Sequence, residues 1–261
     1  MNHCQIKRLG IISALHEEQH GLVQAMDGAA TLTHGMRQYT VGQLWGIDAV
    51  CVLSRIGKVA ASMTAALLVE KFKVTHILFT GVAGSGDASV AVGDIVIAES
   101  LVQHDMDASP LFPRYEVPLT GIAHFASDAT LSGQLANAAN AFLTADFLEV
   151  IGVDERRAFR LGQPTVHRGL IASGDQFVSS RAHVARLSAS HPGLLAVEME
   201  GAAVAQVCFE LGVPFAVIRT ISDNANEDAA TDFLRFVQSV AARYAFHIVR
   251  RFCQDAPKPL S

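Results

Sequence analysis

Charge is scarce in this 261-residue chain: only 17% of residues are Asp, Glu, Lys or Arg, with 20 basic against 25 acidic, a net of −5. Binding to a nucleic-acid backbone calls for a clustered basic surplus, and the chain has none. Cysteine occurs four times, at Cys4, Cys51, Cys208 and Cys253, with no CxxC and no paired spacing. That usage fits a reduced, cytoplasmic setting, with Cys51 and Cys208 as small buried hydrophobes. Long apolar runs are also missing. Ala49 to Leu53 and Ile95 to Ala98 fall far short of the roughly 20 residues a bilayer crossing needs. The N-terminus has no apolar signal core, and no linker, repeat or low-complexity run divides the chain.

Apolar residues are plentiful: they make up half of the chain. Burial on that scale offsets the entropy of ordering and excludes disorder. Strand-length apolar stretches alternate with helical patterns. Strands are predicted at Leu9 to Leu15, at Met36 to Leu44 and Ile47 to Arg55 (joined by a turn at Trp45-Gly46), and at His76 to Thr80. Others follow at Gly93 to Val102, Val166 to Ala172 and Val213 to Ile221. Helices are predicted at Lys58 to Phe72, Ser127 to Leu143, Glu198 to Leu211 and Thr231 to Arg251. In the last, Phe233, Phe236, Val237, Val240, Tyr244, Ile248 and Val249 form one apolar stripe. Asp154 to Arg160 reads as a solvated loop or short helix. The fold class is α/β, one domain over residues 1–261 with a mixed central sheet flanked by helices.

Four segments are placed to carry chemistry. Glu17 and Glu18 follow the first strand, at the sheet edge where open α/β sheets bind ligands, and at most one of them faces a cleft. Alternatively, they simply favour a helix N-terminus. Gly81-Val82-Ala83-Gly84-Ser85-Gly86 reads as a loop whose backbone approaches a ligand or, equally, as a tight turn; it is neither GxGxxG nor a P-loop. Glu198-Met199-Glu200 sits among small apolar residues, so at least one carboxylate needs a buried partner or a ligand such as a vicinal diol. Ser222-Asp223-Asn224 ends an apolar strand, where an acid can protonate a ring nitrogen or cap a turn.

Together these segments resemble the 5′-methylthioadenosine/S-adenosylhomocysteine nucleosidase family of the nucleoside phosphorylase superfamily. The matching stretches are Gly10 to Ala14 with Glu17-Glu18, Ser54 to Ala61, Thr80 to Gly84, Val92 to Val96, His104-Asp105, Arg168 to Asp175, Val197 to Glu200 and Arg219 to Asp223. They run in order from about Leu9 to Arg251. The resemblance implies a nucleoside phosphorylase-like fold and hydrolysis of the N-glycosidic bond of 5′-thio-substituted adenine nucleosides, with no cofactor and no metal.

It also implies roles. Glu18 would activate water, and Asp223 would protonate N7 of adenine with Ser222 orienting it. Glu200 would hold the ribose hydroxyls beside Met199, and Arg219 would lie near the sugar and water. Phe177 would stack on adenine and the Val178 backbone would read its edge. Ile56 and Phe233 would line the 5′ pocket, which a second subunit completes through residues near His104 to Tyr115, with Leu111 and Phe112 as candidates. A homodimer, and a small adenine nucleoside as ligand, follow from the resemblance; nucleic acid and membrane are not expected partners.

Two departures stand out: Val82 replaces a hydroxyl residue, and residues 144–165 form a longer region. The alternatives are a purine nucleoside phosphorylase, a hydrolase of 5′-deoxyadenosine or aminofutalosine, and an adenosine-binding sensor. A phosphorylase needs an arginine-rich dianion site, which a carboxylate at Glu18 would oppose. A sensor has no need of both Glu18 and Asp223. A zinc hydrolase lacks support, because His16, His20 and His34 have no ligand spacing, and His104-Asp105 reads as structural.

Overall fold

The computed structural model describes residues 6–19, 21–226 and 228–256, so Cys4 and His20 lie outside the described residues. Its strands are β1 (Leu9–Ser13), β2 (Asp27–His34), β3 (Arg37–Leu44), β4 (Ile47–Leu53), β5 (His76–Ser85), β6 (Ile95–Gln103), β7 (His124–Ala126), β8 (Val166–Ser173), β9 (Leu194–Glu198) and β10 (Phe215–Asp223). Its α-helices are α1 (His16–Gln19), α2 (Lys58–Glu70), α3 (Ala129–Ala141), α4 (Phe147–Val150), α5 (Val153–Ala158), α6 (Arg181–Ser190), α7 (Gly201–Leu211), α8 (Ala229–Phe236) and α9 (Ala242–Asp255).

The strands form one mixed sheet, as expected, with β5 at its junction. The first half of β5 lies parallel to β1 on one side and β10 on the other, while its end pairs antiparallel with β9. From β9 the sheet continues through β8 and β6 back to β10. Because β1, β5 and β10 run parallel, their carboxyl ends open on one side, where such sheets take ligands. Both faces are covered. Leu9 and Ile11 of β1 enter a core with α3 and α9, whereas Ile12 enters one with α2 and α7. This explains the uninterrupted apolar strands.

Several elements differ from expectation. The segment after Thr80 is strand rather than loop, because Val82, Ala83 and Gly84 keep pairing with β10. Strand β1 ends at Ser13, since the next two N–H groups turn toward Glu18. Glu198 ends a strand and does not start a helix; α7 begins at Gly201. Strand β2 has no apolar alternation because seven of its eight residues are exposed. The last helix is two, joined by a π-turn at Val237–Ala241. Phe233, in α8 before that turn, is half-buried, packed against the core and lining a cavity.

Residues 144–165 hold α4 and α5 and pack on α9 through Arg243–Glu155 and Arg251–Asp146 pairs, away from that cavity. Cys51 and Cys208 are buried, as expected. Among the described residues no helix is long and apolar enough to cross a membrane.

Candidate active site

The site begins where β1 stops pairing. The free N–H groups of Ala14 and Leu15 donate to Oε2 of Glu18, at 2.8 and 2.9 Å, and Val82 N–H on β5 donates to Oε1 at 3.1 Å. Glu18 is buried while its neighbour Glu17 is exposed, so one of the pair faces inward. Gly81 is required here: a Cβ at that position would stand 2.9 Å from Glu18 Oε1. Burial raises the Glu18 pKa, opposed by its three N–H donors and by the nearby Arg219 charge.

Asp223 ends β10 at a bulge in its pairing with β5. The Ser222 hydroxyl donates to its Oδ2 and Ala225 N–H to its Oδ1, each at 2.8 Å. Gly84 accommodates it, as a Cβ there would lie 3.0 Å from Oδ1. Burial again dominates and raises the pKa. Both carboxyls are therefore shifted upward, where acid and base roles would suggest shifts in opposite directions. They differ in their donors: Glu18 has three backbone N–H groups, whereas Asp223 has one and a hydroxyl.

The two glutamates flanking Met199 divide their roles. Glu198 also borders the cavity that Glu200 faces, but its carboxylate is held by core groups. It accepts from Gly201 N–H, the Ser173 hydroxyl and Arg219, with Nη2 at 2.7 Å from Oε2. Arg219 is 1% exposed; its Nη1 donates to the Phe79 and Ile218 carbonyls, and the guanidinium stacks 4.0 Å from the Phe79 ring centre. Glu200 faces the cavity, where Gly57 N–H donates to its Oε1 at 2.8 Å. Gly57 holds φ at 99°, a conformation suited to glycine. Burial, then the adjacent Glu198 charge, pushes the Glu200 pKa well up.

One cavity gathers these groups. Glu18, Asp223, Glu200, Ile56, Val82, Phe177, Val178, Met199 and Phe233 all line it. Ser222 and Arg219 do not; they sit behind it, on Asp223 and Glu198. The rings of Phe177 and Phe233 meet edge to face at 5.8 Å. Ile56 and Phe177 remain 53% and 46% exposed, so the cavity has an apolar, uncovered mouth. Among the described residues no group of three or more His, Cys, Asp or Glu is placed for a metal ion. Asp105 accepts from Lys58 Nζ at 2.6 Å.

The chain matches the phosphorylase superfamily over residues 8–254. A 5′-methylthioadenosine/S-adenosylhomocysteine nucleosidase of Shewanella halifaxensis is 34% identical over 242 residues, covering 93% of this chain and 97% of that protein. The chain belongs to the 5′-methylthioadenosine/S-adenosylhomocysteine nucleosidase family. Among solved structures, the nucleosidase of that name from Neisseria meningitidis, in complex with methylthio-immucillin-A, aligns with a TM-score of 0.83 at 33% identity. It covers 95% of this chain and 99% of its own. Futalosine hydrolase of Helicobacter pylori aligns with a TM-score of 0.80 at 30% identity, covering 94% and 97%.

In this nucleosidase-family site, sequence reasoning missed the N–H groups of Ala14 and Leu15, the lining residue Gln176 and the Glu198–Arg219 lock. The only signal for the lock was two glutamates among apolar neighbours, which demanded a buried partner without naming it.

Proposed function

We propose that this chain is an N-glycosyl hydrolase that releases adenine and a 5′-thioribose from methylthioadenosine and S-adenosylhomocysteine. One observation carries the choice of water over phosphate. The N–H groups of Ala14, Leu15 and Val82 converge as an anion cradle, and Glu18 already fills it. A phosphate dianion would have to displace a tethered carboxylate and would find Arg219 committed to Glu198. The N–H of Val82 thus takes the place of the missing side-chain hydroxyl.

Cleavage passes through an oxocarbenium-like state and needs help at both ends. Asp223, whose pKa burial raises and whose carboxyl Ser222 orients, donates to N7 of the departing adenine. Glu18 takes the proton of the attacking water; such acid and base steps contribute about 10²- to 10⁴-fold each. Glu200 accepts from the ribose hydroxyls with Met199 beside the sugar. Phe177 stacks on the base, the Val178 backbone reads its edge, and Ile56 and Phe233 enclose the 5′ group. Arg219 acts at one remove, locking Glu198 and holding down the Glu18 pKa.

A homodimer is part of this reading. Val59, Met63 and Leu111 are 81%, 43% and 84% exposed, and with Ile56 they offer apolar surface that a second copy would cover. Sedimentation at micromolar concentration tests it, and a monomer would refute it. The setting is cytoplasmic, in keeping with Cys51, Cys208 and Cys253 as free buried thiols.

The activity is tested by adenine release with and without phosphate, in wild type and Glu18→Gln. Phosphate-independent release that collapses in the variant supports the reading. Release only with phosphate overturns it.

A further inference from the structure

A second depression adjoins the cavity and is larger, about 870 Å³ against about 120 Å³. The two share Ala14, Leu15 and Ile56, while Asp223, Phe177 and Val178 line only the first. The groove therefore meets the cavity at the end away from the base-protonating acid. It passes between α1 and the β2–β3 hairpin.

Its charges are unpaired. Arg55 lines it with φ at 70°, a left-handed conformation that costs a non-glycine residue roughly 1 kcal/mol. The Arg55 guanidinium donates to the Met36 carbonyl at 2.9 Å and meets no carboxylate among the described residues. Beside it, Arg37 is 8% exposed. Its guanidinium donates to the carbonyls of Gly35, Ser54 and Ala60 and to Met63 Sδ, with Nε unpartnered and again no carboxylate. Glu17 lines the groove too and, among the described residues, has no cation of its own. A strained, exposed cation, a buried one and a lone carboxylate lining one groove make a site for a zwitterion.

We propose that this groove reads the amino-acid end of a 5′-thioether substituent, Arg55 taking its α-carboxylate and Glu17 its α-ammonium. The inference rests on the nucleosidase reading and deepens it: Arg55 becomes the residue that favours S-adenosylhomocysteine over substrates with a short apolar tail.

The test compares kcat/KM on three substrates: S-adenosylhomocysteine, methylthioadenosine, and the aminopropylthio analogue that keeps the ammonium without the carboxylate. Arg55→Gln should lower the value for S-adenosylhomocysteine about tenfold, chiefly through KM, as expected for one charge-assisted contact. It should change the other two less than twofold. Glu17→Gln should weaken both ammonium-bearing substrates and spare methylthioadenosine. Arg55→Gly should repeat the Arg55→Gln selectivity with a Tm no lower than wild type, since glycine relieves the positive φ.

Equal effects of Arg55→Gln on all substrates, or none, would overturn the inference. So would a wild type that cleaves methylthioadenosine but not S-adenosylhomocysteine, which leaves only the methylthioadenosine half of the nucleosidase reading standing. If wild type cleaves neither, both readings fall together.

Discussion

Arg219→Met tests the account of the site most directly. The substitution keeps an unbranched side chain of similar length and removes a guanidinium that is 1% exposed. It leaves Glu198 buried, with Gly201 N–H, Glu200 N–H and the Ser173 hydroxyl as its remaining donors and no counter-ion. Stranding one partner of a buried ion pair costs about 3–5 kcal/mol. A protein of this size loses roughly 2–4 °C per kcal/mol, so Tm should fall by roughly 10 °C in a calorimetric or dye-based melt. Activity should fall as well, because Arg219 helps to keep Glu18 ionised and Glu198 anchors the N–H of Glu200. Pairing the change with Glu198→Gln removes the stranded charge and should recover at least half of the lost stability. A single variant costing under about 1 kcal/mol, or a double variant no better than the single, would refute the buried-lock argument.

Five further outcomes follow from the same geometry. Asp223→Asn should lower kcat at least about 100-fold in an adenine-release assay, as loss of a general acid does. Its folded pKa is raised, so Asp223 favours the fold at low pH and that advantage is lost as pH rises; Asn should therefore raise Tm relative to wild type at pH 8, by a margin that shrinks toward pH 3.8. Because Glu18 must be ionised and burial raises its pKa, the acid limb of kcat/KM should lie above pH 4.5; full activity at that pH would contradict the base role. Gly81→Ala should place a methyl 2.9 Å from Glu18 Oε1 and cut kcat by about tenfold or more, measured beside Tm to separate it from unfolding. Arg243→Ala breaks a pair with Glu155 whose side chains are 36% and 31% exposed; it should cost under about 1 kcal/mol and leave turnover unchanged, showing that residues 144–165 stand apart from catalysis.

Local apolar runs made β1, β4 and the body of β10 legible, because strands buried on both faces cannot hide their composition. β2 was illegible for the opposite reason: with both faces in solvent, Asp27–His34 has no pattern to show. The site was legible in its residue types but not in its pairings. Gly81 and Gly84 were read as a close approach to a ligand or as a tight turn, yet the oxygens they accommodate belong to Glu18 and Asp223. That closeness spans 64 residues for the Val82–Glu18 bond, a distance over which sequence periodicity carries no information. Glu198 and Glu200 are chemically alike and two positions apart; Arg219, from another strand, settles which of them turns inward.

These pairings bear on the reaction itself. Three N–H groups converging in a buried pocket form an anion-binding concavity, and what they hold bears on the nucleophile. Here the anion is covalently part of the chain, so it is present at an effective concentration no free phosphate reaches. It also repels a dianion while accepting a proton from water. On this argument, removing the charge by Glu18→Gln abolishes hydrolysis without creating a phosphorylase, because the amide still fills the cradle. Glu18→Ala empties it, and phosphate or arsenate at tens of millimolar should then restore measurable adenine release. Rescue of the alanine variant but not the glutamine variant would show that occupancy of the cradle, rather than charge alone, excludes phosphate.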